Sequence, residues 1–336
     1  MNKIRFWFVV CSIIFYSSCS NKAPRYVFNT GAVYGTLYHI VYESPDGKDL
    51  HKEIKKEMAS FDNSLSTFNP NSTISKVNKN EDTSLDPFFL KCFKKAVSVS
   101  KVTSGAFDMT VAPMVNAWGF GFKNRENISA DVIDSLKSIV GYQMVKLQDG
   151  KIVKDDPRIM LDASAIAKGF SVDVVSDFLR RKGCRNFMVE IGGEIDAQGI
   201  NEKGNIWVIG INKPKEDMSL DNQELRATVM LKDCGLATSG NYRNFYVKDG
   251  KKYAHTIDPR TGYPVQHSLL SSSVLAPTCM EADAYATSFM VMGLEEAKKI
   301  VLSSPDLEAF FIYFDGEKNK VWSSSGFKRN IKDLID

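Results

Sequence analysis

Asp283 and Thr287 stand four residues apart in Thr278-Cys279-Met280-Glu281-Ala282-Asp283-Ala284-Tyr285-Ala286-Thr287, where Thr278 and Glu281 have the spacing of a helix capping box. On a helix that starts there, positions i and i+4 share a face, so a carboxylate and a hydroxyl are brought together near its N-terminus. Both are hard oxygen donors. They suit Mg²⁺, which takes few protein ligands and completes its shell with phosphate and water. The competing account is structural: the aspartate favours the helix dipole and the threonine packs.

A second stretch, residues 161–171, turns from an apolar entry into a helical pattern of Ile166, Phe170, Val174 and Phe178, with Gly183 beyond as a stop. Its start falls near Ser164. Free N–H groups and partial positive charge there could receive a phosphate, with Lys168 one turn in. Taken alone, the stretch reads more readily as a core helix carrying a solvated lysine. His255 is the third candidate, because Asp258-Pro259 through Gly262 is strong turn chemistry and places it at a strand end before a loop. A near-neutral pKa suits a base in that position, against the alternative of a structural histidine.

The elements that must position these residues are mixed. A strand is expected over 33–42, helices over 50–65 and from Asp86-Pro87 onward, a hairpin about Asp149-Gly150, and a strand over 158–161 feeding the second stretch. Further strands are expected over 186–191, 206–211, 225–231 and 273–276. The strand at 186–191 ends in Gly192-Gly193-Glu194, where tandem glycines permit close backbone approach. Residues 104–121 are apolar but broken by glycine and proline, a plausible binding loop whose aromatics would suit a flat ring. No G-x-G-x-x-G or Walker-type loop occurs, and strands and helices do not alternate as βαβ units. The expectation is an α+β fold, with mixed or antiparallel sheets and packed helices in a single large domain over residues 31–336.

The N-terminus reads as an export signal. Lys3 and Arg5 precede an apolar run at 6–16 that is too short to span a bilayer stably, so residues 1–18 are expected to be removed. Small residues before Cys19 resemble a bacterial lipobox, with Tyr16 where leucine is usual; Cys19 would then be lipidated and residues 19–30 would tether the domain to a membrane. Without Lys3 and Arg5 the formal charge of +3 falls to +1, which excludes a basic nucleic-acid binder. Cys92, Cys184, Cys234 and Cys279 form no C-x-x-C pair and are expected to be buried thiols.

Taken in order, these motifs resemble the FAD:protein FMN transferase (ApbE) family. The carrying residues are Tyr34-Gly35-Thr36, Leu65-Ser66-Thr67-Phe68, Gly105-Ala106-Phe107-Asp108, Asp162 through Gly169, Gly192-Gly193-Glu194, Ser239-Gly240 with His255 through Gly262, and Glu281-Ala282-Asp283 with Thr287. The resemblance implies an Mg²⁺-dependent transferase that splits FAD, joins FMN by a phosphoester to a threonine or serine of an acceptor protein, and releases AMP. It implies metal ligation by the Ala165 carbonyl, Asp283 and Thr287, and FAD contacts at Tyr34, Phe68, Ala106, Phe107, Asp108, Asp162, Lys168 and Ile257. His255 is the expected base, with Asp283 as the competitor. The family usually has methionine at Tyr34, and some members carry glutamate at Lys168. The alternatives are an Mg²⁺-dependent FAD pyrophosphatase and a non-catalytic FAD-binding lipoprotein. The acceptor would be a subunit of a redox-driven ion pump or another exported electron-transfer protein, met at the periplasmic face of the inner membrane.

Overall fold

The computed structural model describes residues 25–120, 128–214, 224–241, 245–248, 251–254 and 256–335. The segment 1–18, Cys19 and His255 lie outside the described residues.

Strands β1 (Arg25–Val33) and β2 (Thr36–Ser44) form an antiparallel hairpin. Its turn residues Tyr34 and Gly35 both have left-handed backbone, with φ of 52° and 75°, a geometry that matches strand twist. The single strand expected over 33–42 is thus two strands broken at Tyr34-Gly35. Residues 25–30, expected in the tether, pair with β2 instead.

Helix α1 (His51–Leu65) buries Ile54, Met58, Phe61 and Leu65 at helical spacing. The short α2 (Thr73–Asn78) is capped by Ser72, and α3 (Pro87–Val102) begins where Asp86 accepts from the Phe88 and Phe89 N–H groups. After α4 (Ala112–Ala117) and α5 (Ala130–Lys137), strands β3 (Val145–Gln148) and β4 (Lys151–Lys154) meet across Asp149-Gly150.

The strand expected over 158–161 does not form. The Asn78 side chain takes the place of a ladder there, accepting from Leu161 N at 2.7 Å and donating to Leu161 O at 2.8 Å. One amide satisfies both backbone groups, so no neighbouring strand is required.

Helix α6 (Ala167–Arg181) is followed by β5 (Phe187–Ile191), β6 (Glu194–Gln198), β7 (Trp207–Asn212), β8 (Leu225–Leu231), β9 (Cys234–Gly240), β10 (Phe245–Lys248), β11 (Lys251–Ala254) and β12 (Leu269–Ala276). Helices α7 (Cys279–Met292) and α8 (Leu294–Ser303), strands β13 (Glu308–Phe314) and β14 (Asn319–Ser323), helix α9 (Ser325–Asn330) and strand β15 (Ile331–Leu334) complete the order.

The main sheet runs β1-β2-β5-β6-β9-β12-β13-β14 with every neighbouring pair antiparallel, so the architecture is α+β as expected. Side-chain alternation gives the sheet two buried faces. Phe187, Val189 and Ile191 pack on Val172, Val175 and Phe178 of α6, and Ala237 and Val274 pack with Phe289 of α7. Ile195 and Ala197 pack on the opposite side with the small sheet β15-β8-β7. Each large apolar side chain so buried stabilises by about 1.5–3 kcal/mol. On β6 the alternation has a chemical consequence. Glu194 and Asp196 fall on the α6 side, where Lys168 and Arg180 meet them at 2.7 Å each.

Candidate active site

Helices α6 and α7 cross so closely that a side chain at Gly169 would overlap its neighbour. A Cβ there would lie 2.3 Å from the Cys279 carbonyl oxygen and 2.7 Å from Asp283 Cβ. The crossing lets Gly169 donate its backbone N–H to Asp283 Oδ2 at 2.9 Å. A second clamp lies further along α6. Asp173 accepts from Cys279 N at 2.8 Å and Met280 N at 2.9 Å, satisfying the first amides of α7. Thr278 caps the same end, accepting from Glu281 N at 3.2 Å.

The first turn of α6 corrects one sequence expectation. The helix starts at Ala167, not Ser164, and its start is not a free anion cradle. Ser164 N donates to Asp162 Oδ1, Ala167 N to the Ala163 carbonyl, and Gly169 N to Asp283. The anion seated at this helix start is a carboxylate of the protein itself.

Lys168 is likewise no simple solvated lysine. Its Nζ donates to Glu194 Oε1 at 2.7 Å and lies 3.8 Å from Asp283 Oδ1. Burial opposes its charge, but Asp283 and Glu194 outweigh that and hold the ammonium above its ordinary range. For Glu194, burial pushes the carboxyl up, and Lys168 pulls part of the way back.

Three further chain segments close the space around these groups. Asp162 donates its backbone N–H to Met109 O at 2.7 Å, joining the entry of α6 to the 104–110 loop. That loop turns on Ser104 and Gly105, with φ of 50° and 79°, and is pinned by Asp108. Asp108 Oδ1 accepts from the Thr110 N–H and hydroxyl, and Oδ2 accepts from Tyr142 N at 2.7 Å. The third segment is the Ile257 to Gly262 turn, held by Asp258 bonding its own Arg260 guanidinium twice at 2.9 Å. Trp118 Nε1 donates to Gly262 O at 2.8 Å and ties this turn to α4 and its C-terminal end.

The result is a cavity of about 520 Å³. It brings together Ala106, Phe107, Asp108, Asp162, Lys168 and Ile257, and with them Ala165, Asp283 and Thr287. Burial raises the Asp108 and Asp162 carboxyls, partly countered by their hydrogen bonds. Two expected contact residues are elsewhere. Tyr34 lines a separate cavity of about 340 Å³, its ring against Phe61 and its hydroxyl donating to Met58 O at 2.8 Å. Phe68 is 83% exposed and does not line the main cavity.

The cavity also contains residues that sequence reading had not assigned. Ser239 Oγ lies 3.2 Å from Thr287 Oγ1, adding a hydroxyl beside the Asp283/Thr287 pair. Glu194 was visible in the Gly192-Gly193-Glu194 motif, but only the strand phase reveals that it faces Lys168. For a divalent cation the donor chemistry fits: the Asp283 carboxylate and the Thr287 and Ser239 hydroxyls are all oxygen, with no thiolate or imidazole among the described lining residues. The cysteines take no part: Cys92, Cys184 and Cys279 are buried, Cys234 half-buried, and all four are free thiols.

Residues 34–311 match the ApbE family. An FAD:protein FMN transferase of Vibrio cholerae serotype O1 is 36% identical over 97% of this chain and 98% of its own length. The protein of the same name from Escherichia coli strain K12 is 30% identical, with 95% of each chain covered. Among solved structures, the flavin transferase ApbE from Vibrio cholerae is similar with a TM-score of 0.82 at 34% identity, covering 92% of this chain and all of the other. The apo form of Pseudomonas stutzeri flavinyl transferase ApbE gives 0.83 at 28% identity, with coverages of 93% and 98%.

Proposed function

This chain belongs to the ApbE family, and we infer that it is an FAD:protein FMN transferase, which breaks the FAD pyrophosphate, joins FMN to an acceptor hydroxyl and releases AMP. The observation that carries this reading is the convergence of Lys168, Asp283, Thr287 and Ala106 to Asp108 from distant parts of the chain on one cavity.

We propose that Mg²⁺ is held by Asp283, Thr287 and the Ala165 carbonyl. When bound it would neutralise charge on the pyrophosphate oxygens as the bond to AMP breaks. Lys168 is fixed by Glu194 and adds a second positive charge to the same wall. The Ala106 to Asp108 wall lines the dinucleotide cavity, while Asp108 spends its carboxylate on shaping the loop and offers mainly backbone and an aromatic neighbour. Asp283 is poorly placed to act as base, since Oδ2 takes the Gly169 N–H and its remaining oxygen would be held by the proposed Mg²⁺. That favours His255 for removing the proton of the incoming hydroxyl.

The targeting segment and Cys19 support export and a lipid anchor, for which we propose the periplasmic face of the inner membrane. The acceptor there would be an exported electron-transfer protein, such as a subunit of a redox-driven ion pump. The test is incubation with FAD, Mg²⁺ and a candidate acceptor domain. The expected result is an acceptor heavier by one FMN less water, with equimolar AMP. FMN and AMP without acceptor modification would instead mark a pyrophosphatase. Absence of AMP would mark a binding protein.

A further inference from the structure

Glu194 opens β6 immediately after Gly192 and Gly193, and its two carboxylate oxygens are treated differently by the fold. Oε1 takes the Lys168 ammonium at 2.7 Å. Oε2 has no hydrogen-bond partner among the described residues, although the side chain is only 5% exposed. An oxygen stripped of water and given no donor in return is costly, and such a group in a native cavity calls for a ligand-side explanation.

The surroundings narrow what that ligand group is. Glu194 and Gly192 both line the main cavity. Gly192 has a φ of 66°, and a Cβ at that position would come within 3.4 Å of Glu194 Oε2 and 2.9 Å of Thr36 Cγ2. A side chain at position 192 would fill the space beside Oε2. Two carboxylates, Glu194 and Asp283, already share one cation, so another anion at Oε2 is disfavoured and a neutral donor fits. Glu194 lies beside Lys168, which the transferase reading sets against the pyrophosphate, and the donors that flank a dinucleotide pyrophosphate are hydroxyls, with ring N–H groups farther along.

We propose that Glu194 Oε2 accepts a hydrogen bond from a substrate hydroxyl in the space that Gly192 leaves open. The assignment rests on the FAD-transfer reading given above. The hydroxyl has two sources, the sugar hydroxyls of FAD that flank its pyrophosphate and the serine or threonine hydroxyl of the acceptor protein.

Glu194→Gln tests it, since the amide retains an oxygen for Lys168 and presents an NH₂ where Oε2 stood. Calorimetry in Mg²⁺ compares FAD with inorganic pyrophosphate as ligands, and the rate of FMN attachment to an acceptor domain is followed in parallel. If the hydroxyl belongs to FAD, its affinity falls about tenfold or more while pyrophosphate binding is held, the loss expected for a hydrogen bond to a charged group. If it belongs to the acceptor, FAD affinity is kept and FMN attachment falls by a similar factor. Unchanged affinity and attachment would overturn the proposal. So would an equal loss for FAD and pyrophosphate, which would mean that only the Lys168 charge had been disturbed. Gly192→Ala, which keeps the Glu194 carboxylate but adds a methyl beside Oε2 on left-handed backbone, should repeat the loss while pyrophosphate binding is held, and its indifference would also count against the assignment. A wild-type protein that neither binds FAD nor yields AMP would defeat the transferase reading instead, so the two failures are separable.

Discussion

The backbone N–H of Gly169 donates to Asp283 Oδ2 at 2.9 Å, so the first turn of α6 sets the direction of a carboxylate that belongs to α7. The contact exists because position 169 has no side chain, and a Cβ would collide with the Cys279 carbonyl at 2.3 Å. Backbone atoms of a helix cannot yield as the end of a flexible side chain can. Gly169→Ala is therefore expected to part the helices, costing about 1–3 kcal/mol of stability. FMN transfer should fall at least about tenfold as Asp283 loses its alignment. Urea denaturation and a transfer assay on the same preparation check both, and full activity in a stable variant would contradict this account of the crossing.

Lys168 separates two buried acids. Removing it by Lys168→Met leaves Glu194 and Asp283 facing each other without a cation. Losing one member of a buried ion pair costs about 3–5 kcal/mol, but the Lys168 side chain is 37% exposed, and screening reduces the expected loss to about 1–3 kcal/mol. Adding Glu194→Gln to that variant should restore part of the stability, because the uncompensated charge goes with it. A double-mutant cycle on unfolding free energies measures the coupling, and strict additivity would show that the pair does not interact in solution.

Metal dependence should divide along the residues that carry oxygen toward the cavity. Chelation with EDTA is expected to stop AMP release. Mg²⁺ is expected to raise the melting temperature by mass action on a site present only in the folded protein, and Asp283→Ala should abolish that rise. Thr287→Val keeps the shape and removes a hydroxyl that sits 3.2 Å from Ser239 Oγ. The Mg²⁺ concentration for half-maximal rate should rise by at least the ten- to hundredfold that outer-shell partners of a metal are worth. An unaltered Mg²⁺ requirement in Thr287→Val would remove that residue from the proposed ligand set.

Much of this site was legible because its parts obey local rules. The spacing of Thr278, Glu281, Asp283 and Thr287 specifies a capped helix with two oxygen groups on one face, and α7 has that cap. The helical period from Ile166 to Phe178 likewise marks α6. What the local rules could not disclose is what lies opposite. The helix start, expected near Ser164, reads as an anion site until Asp283 is found against Gly169, and Lys168 reads as solvated until β6 brings Glu194 to it. Residues 158–161 look like a strand because Ile159, Met160 and Leu161 are apolar, yet other groups take their hydrogen bonds: Asn78 meets both backbone groups of Leu161, Lys154 donates to Ile159 O, and Ile159 N donates to Asp156 O. The Tyr34-Gly35 turn was hidden by a tyrosine in left-handed backbone, a conformation that most side chains avoid.

Asp173 supplies a prediction in pH. Its carboxyl receives the Cys279 and Met280 N–H groups, but burial outweighs these bonds and raises its pKa from 3.8 to about 7. A folded-state pKa above the unfolded one means that the native protein binds the proton more tightly. The associated stabilisation is fully present below the unfolded value and is lost as pH rises through the folded value. Between pH 4 and 7 the wild-type protein should therefore lose stability relative to Asp173→Asn, which has no proton to release. Asp108, Asp162 and Glu194 are raised in the same sense, so the wild-type curve alone would not isolate Asp173. The difference between the two proteins does. Chemical denaturation midpoints at several pH values should give a gap that changes steadily across this window and levels off above it. A constant gap from pH 4 to 8 would mean that Asp173 ionises near its ordinary pKa, with the amide bonds of α7 outweighing its burial.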